Sequence, residues 1–305
     1  MKHISVIICT YNREKYLYDA LKSVAEQEYP KERYEIVLIN NNSTDNTEDI
    51  CRRFQRDFPD VSFHYVVETR QGLSFARNRG IDESQGEILI YVDDDATVFP
   101  AYLQTYHDFF QNHPDAIAGG GPIYPVFEVS EPKWMSPIIR TLLGGYLYFG
   151  DKIKIFKNEK YPGGGNAAYR KRDLEQFGYF NTELGRIGSG LLGSEEKDMF
   201  DRFRNAGRPF YYIPKAAIHH YIPESKLTKK YFQELCYSIG VGEKKRTQAI
   251  SKAYYRKRLL AEVIKWCASL VLFFGYSITL RPQKGVKYLQ FRWHLSKGLL
   301  KSLSL

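Results

Sequence analysis

The stretch ISVIICTYNR, residues 4–13, joins a continuous apolar run to a cluster of polar side chains. The apolar part, Ile4–Cys9, is rich in β-branched residues and is typical of a strand that is buried on both faces. Polar residues follow at once in Thr10–Arg13, at the carboxyl end of that strand. Because such strands occur in sheets that are covered by helices on both sides, the stretch predicts an α/β fold.

The same alternation of apolar strand and amphipathic helix continues as far as residue 92. We predict three further strands, at Tyr34–Ile39, Val61–Val67 and Glu87–Val92. We predict helices between the strands, at Lys15–Gln27, Thr47–Phe58 and Leu73–Glu83. This order indicates a mostly parallel, Rossmann-like sheet that is flanked by helices. Ligands bind at the carboxyl ends of the strands in such sheets, so we expect three polar clusters to meet there: Thr10–Arg13, Asn40–Asp45 and Asp93–Asp95.

Three consecutive aspartates, Asp93–Asp95, directly follow the predicted strand Glu87–Val92. Residues i and i+2 of an extended segment point the same way, so Asp93 and Asp95 could both reach one cation. Carboxylate oxygens suit a hard divalent ion such as Mg²⁺ or Mn²⁺, which also binds substrate phosphates. The alternative is an Asp-rich turn that caps the next helix.

Polar residues after the first two strands lie where a nucleotide binds in an open α/β sheet. The ring of Tyr11 offers a face on which a base can stack. The side chains that can pair with base or ribose edges are Asn12, Asn41 and Asp45. Arg77, on the predicted helix Leu73–Glu83, could clamp phosphates through two parallel hydrogen bonds. Ordinary turns, helix N-caps and a solvated surface arginine are the alternatives for these residues.

Two acidic residues, Glu195 and Glu196, lie in a predicted helix at Leu192–Gly207. Carboxylates near the start of a helix are expected from the helix dipole alone. Either carboxylate could also serve as a general base. The histidine pair His219–His220 follows a predicted strand at Phe210–Ile213. One of its rings could bind a metal or a diphosphate, and the alternative is a structural role.

The positive charge of the chain is concentrated at its C-terminal end. The whole chain has 44 Lys and Arg against 35 Asp and Glu, which gives a net charge of +9. Residues 226–305 hold 17 of these basic residues and three of the acidic ones, so the remainder is mildly acidic. A basic, aromatic tail indicates an anionic partner, either a membrane surface or a nucleic acid. We therefore predict one domain at 1–225 and a separate helical extension at 226–305.

An uncharged stretch of 15 residues, Trp266–Leu280, lies within this extension. A helix that spans a membrane needs about 20 apolar residues, so the stretch predicts an interfacial or re-entrant segment. Tyr254, Arg256 and Lys257 precede it, and basic and aromatic flanks are typical of helices on a membrane surface. The alternative is a helical hairpin that packs on the rest of the chain.

The order of these clusters along residues 3–225 resembles a family 2 glycosyltransferase of the GT-A fold. The motifs that carry the resemblance are SVIICTYN at 5–12, NNSTDNT at 41–47, GLSFARNRG at 72–80, the three aspartates and the Glu pair. The resemblance implies a nucleotide-sugar site that is lined by Thr10, Tyr11, Asn41, Arg77 and Asp93, and we add Asn12, Asp45 and Asp94 as donor-binding candidates. It implies Asp93, Asp95 and His220 as the metal site, and Gly164 and Gly165 as the loop that faces donor sugar and acceptor.

The same resemblance implies a reaction and its base. The implied reaction transfers a sugar, with inversion, from a nucleoside-diphosphate sugar to a hydroxyl group. The expected donor is a UDP-sugar, and the expected cofactor is Mn²⁺ or Mg²⁺. Glu196 aligns with the base, and Glu195 is the alternative. The family commonly has Asp at the base position. It also usually has an Asp pair where this chain has Asn40–Asn41, which leaves the choice of nucleotide open.

The implied partners are a nucleotide-sugar donor, a saccharide or lipid-linked saccharide acceptor, and an anionic membrane surface. We expect a cytoplasmic protein, peripheral on the inner face of the cell membrane, that acts in surface polysaccharide or glycan synthesis. The four cysteines are far apart in sequence, which agrees with a reduced compartment. An inactive nucleotide-sugar-binding or scaffold protein of the same fold is the alternative. A nucleic-acid binder is disfavoured, because no nucleic-acid motif is present and the body is acidic.

Overall fold

The computed structural model describes residues 3–301, and the chain divides into two compact units. The first, the sheet unit, consists of the chain up to Val126 with Gly145–Thr182 and Glu196–Tyr221. The second, the helical unit, consists of Phe127–Gly144, Glu183–Glu195 and the chain from Ile222 onward. Each unit is therefore discontinuous in sequence. The functional division into 1–225 and 226–305 stays a prediction.

The described residues contain a large sheet, a small sheet and ten α-helices. The large sheet consists of β1 (Ile4–Thr10), β2 (Tyr34–Asn40), β3 (Phe63–Val67), β4 (Ile88–Val92), β6 (Ala118–Gly120), β8 (Lys154–Ile155), β9 (Asn166–Arg170) and β10 (Phe210–Tyr212). The small sheet consists of β5 (Ala96–Val98), β7 (Ile123–Phe127) and β11 (Ile218–Ile222). The helices are α1 (Glu14–Ala25), α2 (Thr47–Asp57), α3 (Leu73–Glu83), α4 (Tyr102–Asn112), α5 (Pro137–Gly144), α6 (Lys171–Phe177), α7 (Glu195–Asn205), α8 (Lys229–Ile250), α9 (Lys252–Ile278) and α10 (Pro282–Leu300).

The large sheet has the strand order β3-β2-β1-β4-β9-β6-β10-β8. Its first four strands are parallel, with β1 between β2 and β4. Strand β9 is antiparallel to both of its neighbours, β4 and β6. The predicted α/β fold with a mostly parallel sheet is confirmed, and the strands and helices predicted before residue 92 are found within two residues of their predicted ends.

Both faces of the large sheet are buried, which explains the continuous apolar run at the N-terminus. Along β1, Ile4, Val6 and Ile8 belong to one hydrophobic cluster. Ile7 between them belongs to a second cluster. Because alternate residues of a strand point to opposite faces, a strand that is covered on both sides carries apolar residues on both of its faces.

The small sheet begins where the aspartate turn ends. Strand β5 starts at Ala96, directly after Asp95, and pairs antiparallel with β11. The register places His220 opposite Ala96. This pairing brings a histidine from late in the chain to the end of β4.

The long helices α8, α9 and α10 belong to the helical unit. The backbones of α8 and α10 touch at two glycines, because an added Cβ at Gly240 would overlap the Leu295 carbonyl and one at Gly298 would overlap the Tyr237 carbonyl. Residues 266–278 of the predicted interfacial or re-entrant segment Trp266–Leu280 form the second half of the 27-residue helix α9, and the role of the segment at a membrane stays a prediction. By length and composition α9 could cross a membrane, and only 11% of its most apolar 18-residue window is buried.

Candidate active site

The aspartate turn after β4 forms a cluster of possible metal ligands in the sheet unit. One ligand atom each from Asp93, Asp95 and His220 lies within 4.8 Å of the other two. The backbone N–H of Ala96 donates to the Asp93 carbonyl at 3.1 Å, a tight turn that leaves both outer carboxylates on one side. Two carboxylates suit Mn²⁺ or Mg²⁺ and an imidazole is a common metal ligand, so the residues fit a divalent cation.

The two adjacent histidines of β11 have different surroundings. His220 Nε2 lies 3.0 Å from Asp95 Oδ1, and the Tyr221 N–H donates to the Asp95 carbonyl at 2.8 Å. The His219 ring instead packs against Phe99, with ring centroids 4.6 Å apart. Successive residues of a strand point to opposite faces, so only His220 of the pair reaches the aspartates.

Negative charge is in excess at the aspartate turn. Burial, and then the charge of Asp95, raises the pKa of Asp94 from 3.8 to about 7. Arg13 acts in the opposite direction, with its Nε 4.0 Å from Asp94 Oδ1 and its Nη2 3.8 Å from Asp95 Oδ2. One arginine beside three carboxylates leaves a site where a divalent cation is electrostatically favoured.

Arg77 and Glu196 form an ion pair between two distant parts of the chain. Arg77 Nη2 lies 2.7 Å from Glu196 Oε1, and the Arg77 side chain is 4% exposed against 25% for Glu196. The guanidinium carbon lies 5.8 Å from the Tyr91 ring centroid and 5.3 Å from the Phe180 ring centroid. These contacts fix the guanidinium and, through it, the orientation of the Glu196 carboxylate.

The two glutamates at the start of α7 also differ. Glu195 is buried, with 3% of its surface exposed, whereas the Glu196 carboxylate is partly open to solvent. A partly open carboxylate that is held by a buried arginine can accept a proton from a bound substrate. The geometry therefore favours Glu196 over Glu195, and the assignment of the base stays a prediction.

The loop with Gly164 and Gly165 runs between the two acidic groups. An added Cβ at Gly164 would overlap Glu196 Oε1 and would lie 2.8 Å from Arg77 Nη2. An added Cβ at Gly165 would overlap the carboxylate of Asp93. Two consecutive residues of one loop therefore lie against the candidate base and a candidate metal ligand, and a side chain at either position would displace one of these carboxylates.

The predicted nucleotide-binding residues after β1 and β2 do lie together. Asn12 Oδ1 accepts from the Thr44 N–H at 2.8 Å, and the Asn12 N–H donates to Ser43 Oγ at 3.0 Å. Asp45 Oδ2 accepts from the Glu14 N–H at 3.0 Å, while its Oδ1 accepts from Thr47 Oγ1 at 2.6 Å. These bonds join the two loops. Thr10 is buried and Tyr11 half-buried at their base.

Asn41 is engaged with the segment that leads into α3. Its Nδ2 donates to the carbonyls of Glu68 at 2.9 Å and Arg70 at 2.8 Å. Its Oδ1 accepts from the Gly72 N–H at 2.7 Å. The side chain thus shapes the wall of the predicted nucleotide site. Its direct contact with a base stays a prediction, as does the donor-binding role of the other residues in these loops.

Sequence reasoning missed Asn166, the fully buried first residue of β9. Its Oδ1 accepts from the hydroxyls of Tyr102 at 2.7 Å and Tyr106 at 2.9 Å. Its Nδ2 donates to the carbonyls of Pro122 at 3.0 Å and Ala216 at 2.8 Å. With all four bonds made, Asn166 anchors the loop that carries Gly164 and Gly165. The available signal was a polar side chain at the start of an apolar strand, directly after three glycines.

Comparisons with known proteins identify the family of the chain. The model of the glycosyl transferase family 2 matches residues 5–178. A glucosyl-dolichyl phosphate glucuronosyltransferase of Haloferax volcanii is 29% identical over 224 residues, which are 71% of this chain and 68% of the relative. A dolichyl N-acetyl-α-D-glucosaminyl phosphate 3-β-D-2,3-diacetamido-2,3-dideoxy-β-D-glucuronosyltransferase of Methanococcus voltae is 32% identical over 165 residues, which are 52% of this chain and about half, 51%, of the relative.

A solved structure agrees on the fold. A mannosyltransferase from Pyrobaculum calidifontis, in complex with GDP-Man and Mn²⁺, superposes with a TM-score of 0.65 at 19% identity. The match covers 98% of this chain and 87% of the mannosyltransferase. At that identity the likeness shows the fold, whereas the family match covers more than half of the chain. The chain belongs to the glycosyl transferase family 2 and is a glycosyltransferase with the GT-A fold.

Proposed function

We propose that the protein transfers a sugar, with inversion, from a nucleoside-diphosphate sugar to a hydroxyl of a saccharide or lipid-linked saccharide. A UDP-sugar is the first candidate donor. The observation that carries the proposal is the loop at Gly164 and Gly165, which touches the Glu196 carboxylate and the Asp93 carboxylate at consecutive residues. A base and a diphosphate-binding site are therefore held next to each other, as a one-step displacement requires.

Each residue then has a role. Asp93, Asp95 and His220 would hold Mn²⁺ or Mg²⁺, which neutralises the charge of the leaving diphosphate when it is bound. Glu196 accepts the proton of the acceptor hydroxyl as that oxygen attacks the anomeric carbon. Arg77 orients Glu196 through one N–H group. We also assign Arg77 to the donor site, because a guanidinium can pair with a phosphate.

The relatives and the helical unit support the proposed acceptor and location. Two relatives are named for dolichyl-phosphate-linked sugars, which are lipid-linked saccharides. Helix α9 is apolar and mostly exposed. We therefore assign a lipid-linked acceptor in surface polysaccharide or glycan synthesis, and a peripheral position on the cytoplasmic face of the cell membrane. Binding to an anionic membrane is part of this proposal.

A donor panel tests the proposal. UDP-, GDP- and dTDP-sugars are incubated with the protein and Mn²⁺ or Mg²⁺, and the release of nucleoside diphosphate is measured with and without EDTA. We expect release from one donor, blocked by EDTA, and an inverted anomeric configuration in the product. Cation-independent transfer, or retention of configuration, would contradict the proposed mechanism.

The glycine loop gives a first prediction. In Gly164→Ala the new methyl group overlaps Glu196 Oε1, and the flexible carboxylate has to move away from Arg77. Because a shift of about 1 Å in a catalytic group can cost roughly 100-fold in rate, we expect kcat to fall by about that factor. The atoms that must move lie at the end of the flexible Glu196 side chain, so we expect little change in Tm. Gly275→Ala is the control, because no atom lies within 4 Å of its added Cβ. Unchanged kcat in Gly164→Ala would contradict the role of this loop.

A further inference from the structure

Helix α9 carries a stripe of exposed apolar side chains along one face. The stripe, which we call the α9 stripe, consists of Leu260, Val263, Ile264, Val271, Phe274 and Ile278, each at least 60% exposed. At about 100° per residue these positions fall within roughly 100° of the helix circumference. Cys267 is also exposed and lies on the same face. A continuous apolar stripe of this length is unusual on a water-facing surface.

The opposite face of α9 packs on α10 and carries a network of polar bonds. Glu262 accepts from Arg258 Nη1 at 2.8 Å and from Ser296 Oγ at 3.0 Å. Arg292 Nη1 lies 3.2 Å from both Glu262 oxygens. Trp266 Nε1 donates to Ser296 Oγ at 3.0 Å. Glu262 and Arg292 are buried, so this network fixes which face of α9 is left uncovered within the helical unit.

We infer that α9 lies in the plane of a membrane, with the α9 stripe inserted into a single leaflet of anionic lipid. The inference rests on the membrane association proposed above and adds its geometry. An in-plane helix buries its apolar face at the boundary between headgroups and acyl chains, while its polar face stays outside. This geometry covers the stripe and leaves the bonds of Glu262 to Arg292 and Ser296 intact.

A spanning orientation is less favourable, although 27 residues would reach about 40 Å. Glu262 and Lys265 lie near the middle of α9 and would enter the hydrocarbon core. Helix α10 would have to follow with Arg292, or else lose its contacts with α9. The first outcome places charged groups in lipid, and the second breaks a buried network.

The charges around the stripe favour anionic lipid over a second copy of the chain. Lys252, Arg256 and Lys257 are exposed in the first two turns of α9, and Arg281 is exposed just beyond its end. Two such helices paired in either orientation would bring basic ends together. An anionic surface instead meets positive charge at both ends of the stripe.

Vesicle flotation tests the association. The full-length protein is mixed with phosphatidylglycerol-containing vesicles, and Val271→Glu is compared with Ile153→Glu, which changes an exposed apolar residue outside α9. We expect Val271→Glu to lower the vesicle-bound fraction at least tenfold and Ile153→Glu to leave it unchanged. No binding of the unmodified protein would overturn both the association and the inference. A dimer in lipid-free solution that Val271→Glu dissociates would overturn the inference in favour of a second copy.

Depth measurements separate the two orientations. A fluorescent label is attached at Cys267, or at Leu260→Cys or Ile278→Cys in a Cys267→Ser background. Burial raises the pKa of the thiols of Cys9, Cys51 and Cys236 to about 12, so these cysteines react slowly. We expect quenchers attached to the lipids to place all three labels at the same shallow depth. We also expect dithionite added outside the vesicles to reduce all three labels. The in-plane geometry would be overturned if the label at 267 lay deep in the bilayer while the labels at 260 and 278 lay near its opposite surfaces. That result would leave both the association and the proposed transfer reaction standing.

Discussion

Asp95→Asn is expected to lower the transfer rate about a thousandfold and to abolish the effect of the divalent cation on donor binding. The carboxylate of Asp95 is buried and lies 3.0 Å from His220 Nε2, so it cannot be replaced by a neighbouring side chain without rearrangement. An amide of the same shape keeps the packing but removes the negative charge that attracts the cation. Calorimetric titration of donor with and without Mn²⁺ measures binding separately from turnover.

The control for Asp95→Asn is His219→Gln, which alters the same strand as His220 but on its other face. His219 packs on Phe99 and is not part of the cluster of Asp93, Asp95 and His220. We expect donor binding by His219→Gln to depend on Mn²⁺ as it does in the unmodified protein. Equal Tm values in the two variants would exclude unfolding as the cause. Cation-dependent donor binding that survives in Asp95→Asn would refute the metal site.

The convergence of polar loops was predictable because it follows from strand order. Parallel strands end at the same edge of a sheet, and β1 lies between β2 and β4. The loops after β1 and β2 accordingly share the bond between Asn12 and Thr44. The loop after β1 also reaches the aspartates through Arg13, whose Nη2 lies 3.8 Å from Asp95. The positions and ends of such strands can be predicted from sequence, because continuous apolar runs are short, local patterns.

Contacts that depend on the second half of the sheet were not predictable from such patterns. Arg77 and Glu196 are 119 residues apart, and Asn166 bonds to Tyr102 from 64 residues away. Asn166 begins β9, which enters antiparallel between β4 and β6, whereas Arg77 and Glu196 lie on α3 and α7. Strands such as β6 and β10 have three residues each, too few for a periodicity that reveals their place in the sheet. The family resemblance, not periodicity, gave Gly164 and Gly165 their expected role and favoured Glu196 over Glu195.

The length of α9 shows a different limit. A count of uncharged residues stops at Lys265, which makes the apolar segment look too short for a long membrane-associated helix. In the structure the helix begins at Lys252, and Glu262 within it bonds to Arg258 and Arg292. Whether a charge on a helix is compensated depends on its neighbours in space. The sequence of one helix cannot show it.

Glu196→Gln is expected to lower kcat by about a thousandfold while leaving donor binding and its cation dependence unchanged. The amide oxygen of glutamine can still accept from Arg77 Nη2, now 2.7 Å from Glu196 Oε1, so the site keeps its shape. It loses the ability to take a proton from the acceptor hydroxyl. Transfer to acceptor and calorimetric binding of donor, measured on the same preparation, separate these two properties. The contrast with Asp95→Asn is the essential result, because a loss of donor binding in both variants would refute the division of roles.

Two companion variants decide between the adjacent glutamates. Glu195→Gln removes the charge of the buried neighbour, and we expect it to keep most of the transfer rate even if Tm falls. Glu196→Asp keeps a carboxylate on a shorter side chain, and we expect a rate between those of Glu196→Gln and the unmodified protein. A base can be moved by one methylene group and still work, whereas an amide at the original position cannot accept the proton. If Glu195→Gln is inactive with an unchanged Tm while Glu196→Gln turns over, the base is Glu195, and the ion pair between Arg77 and Glu196 has only a structural role.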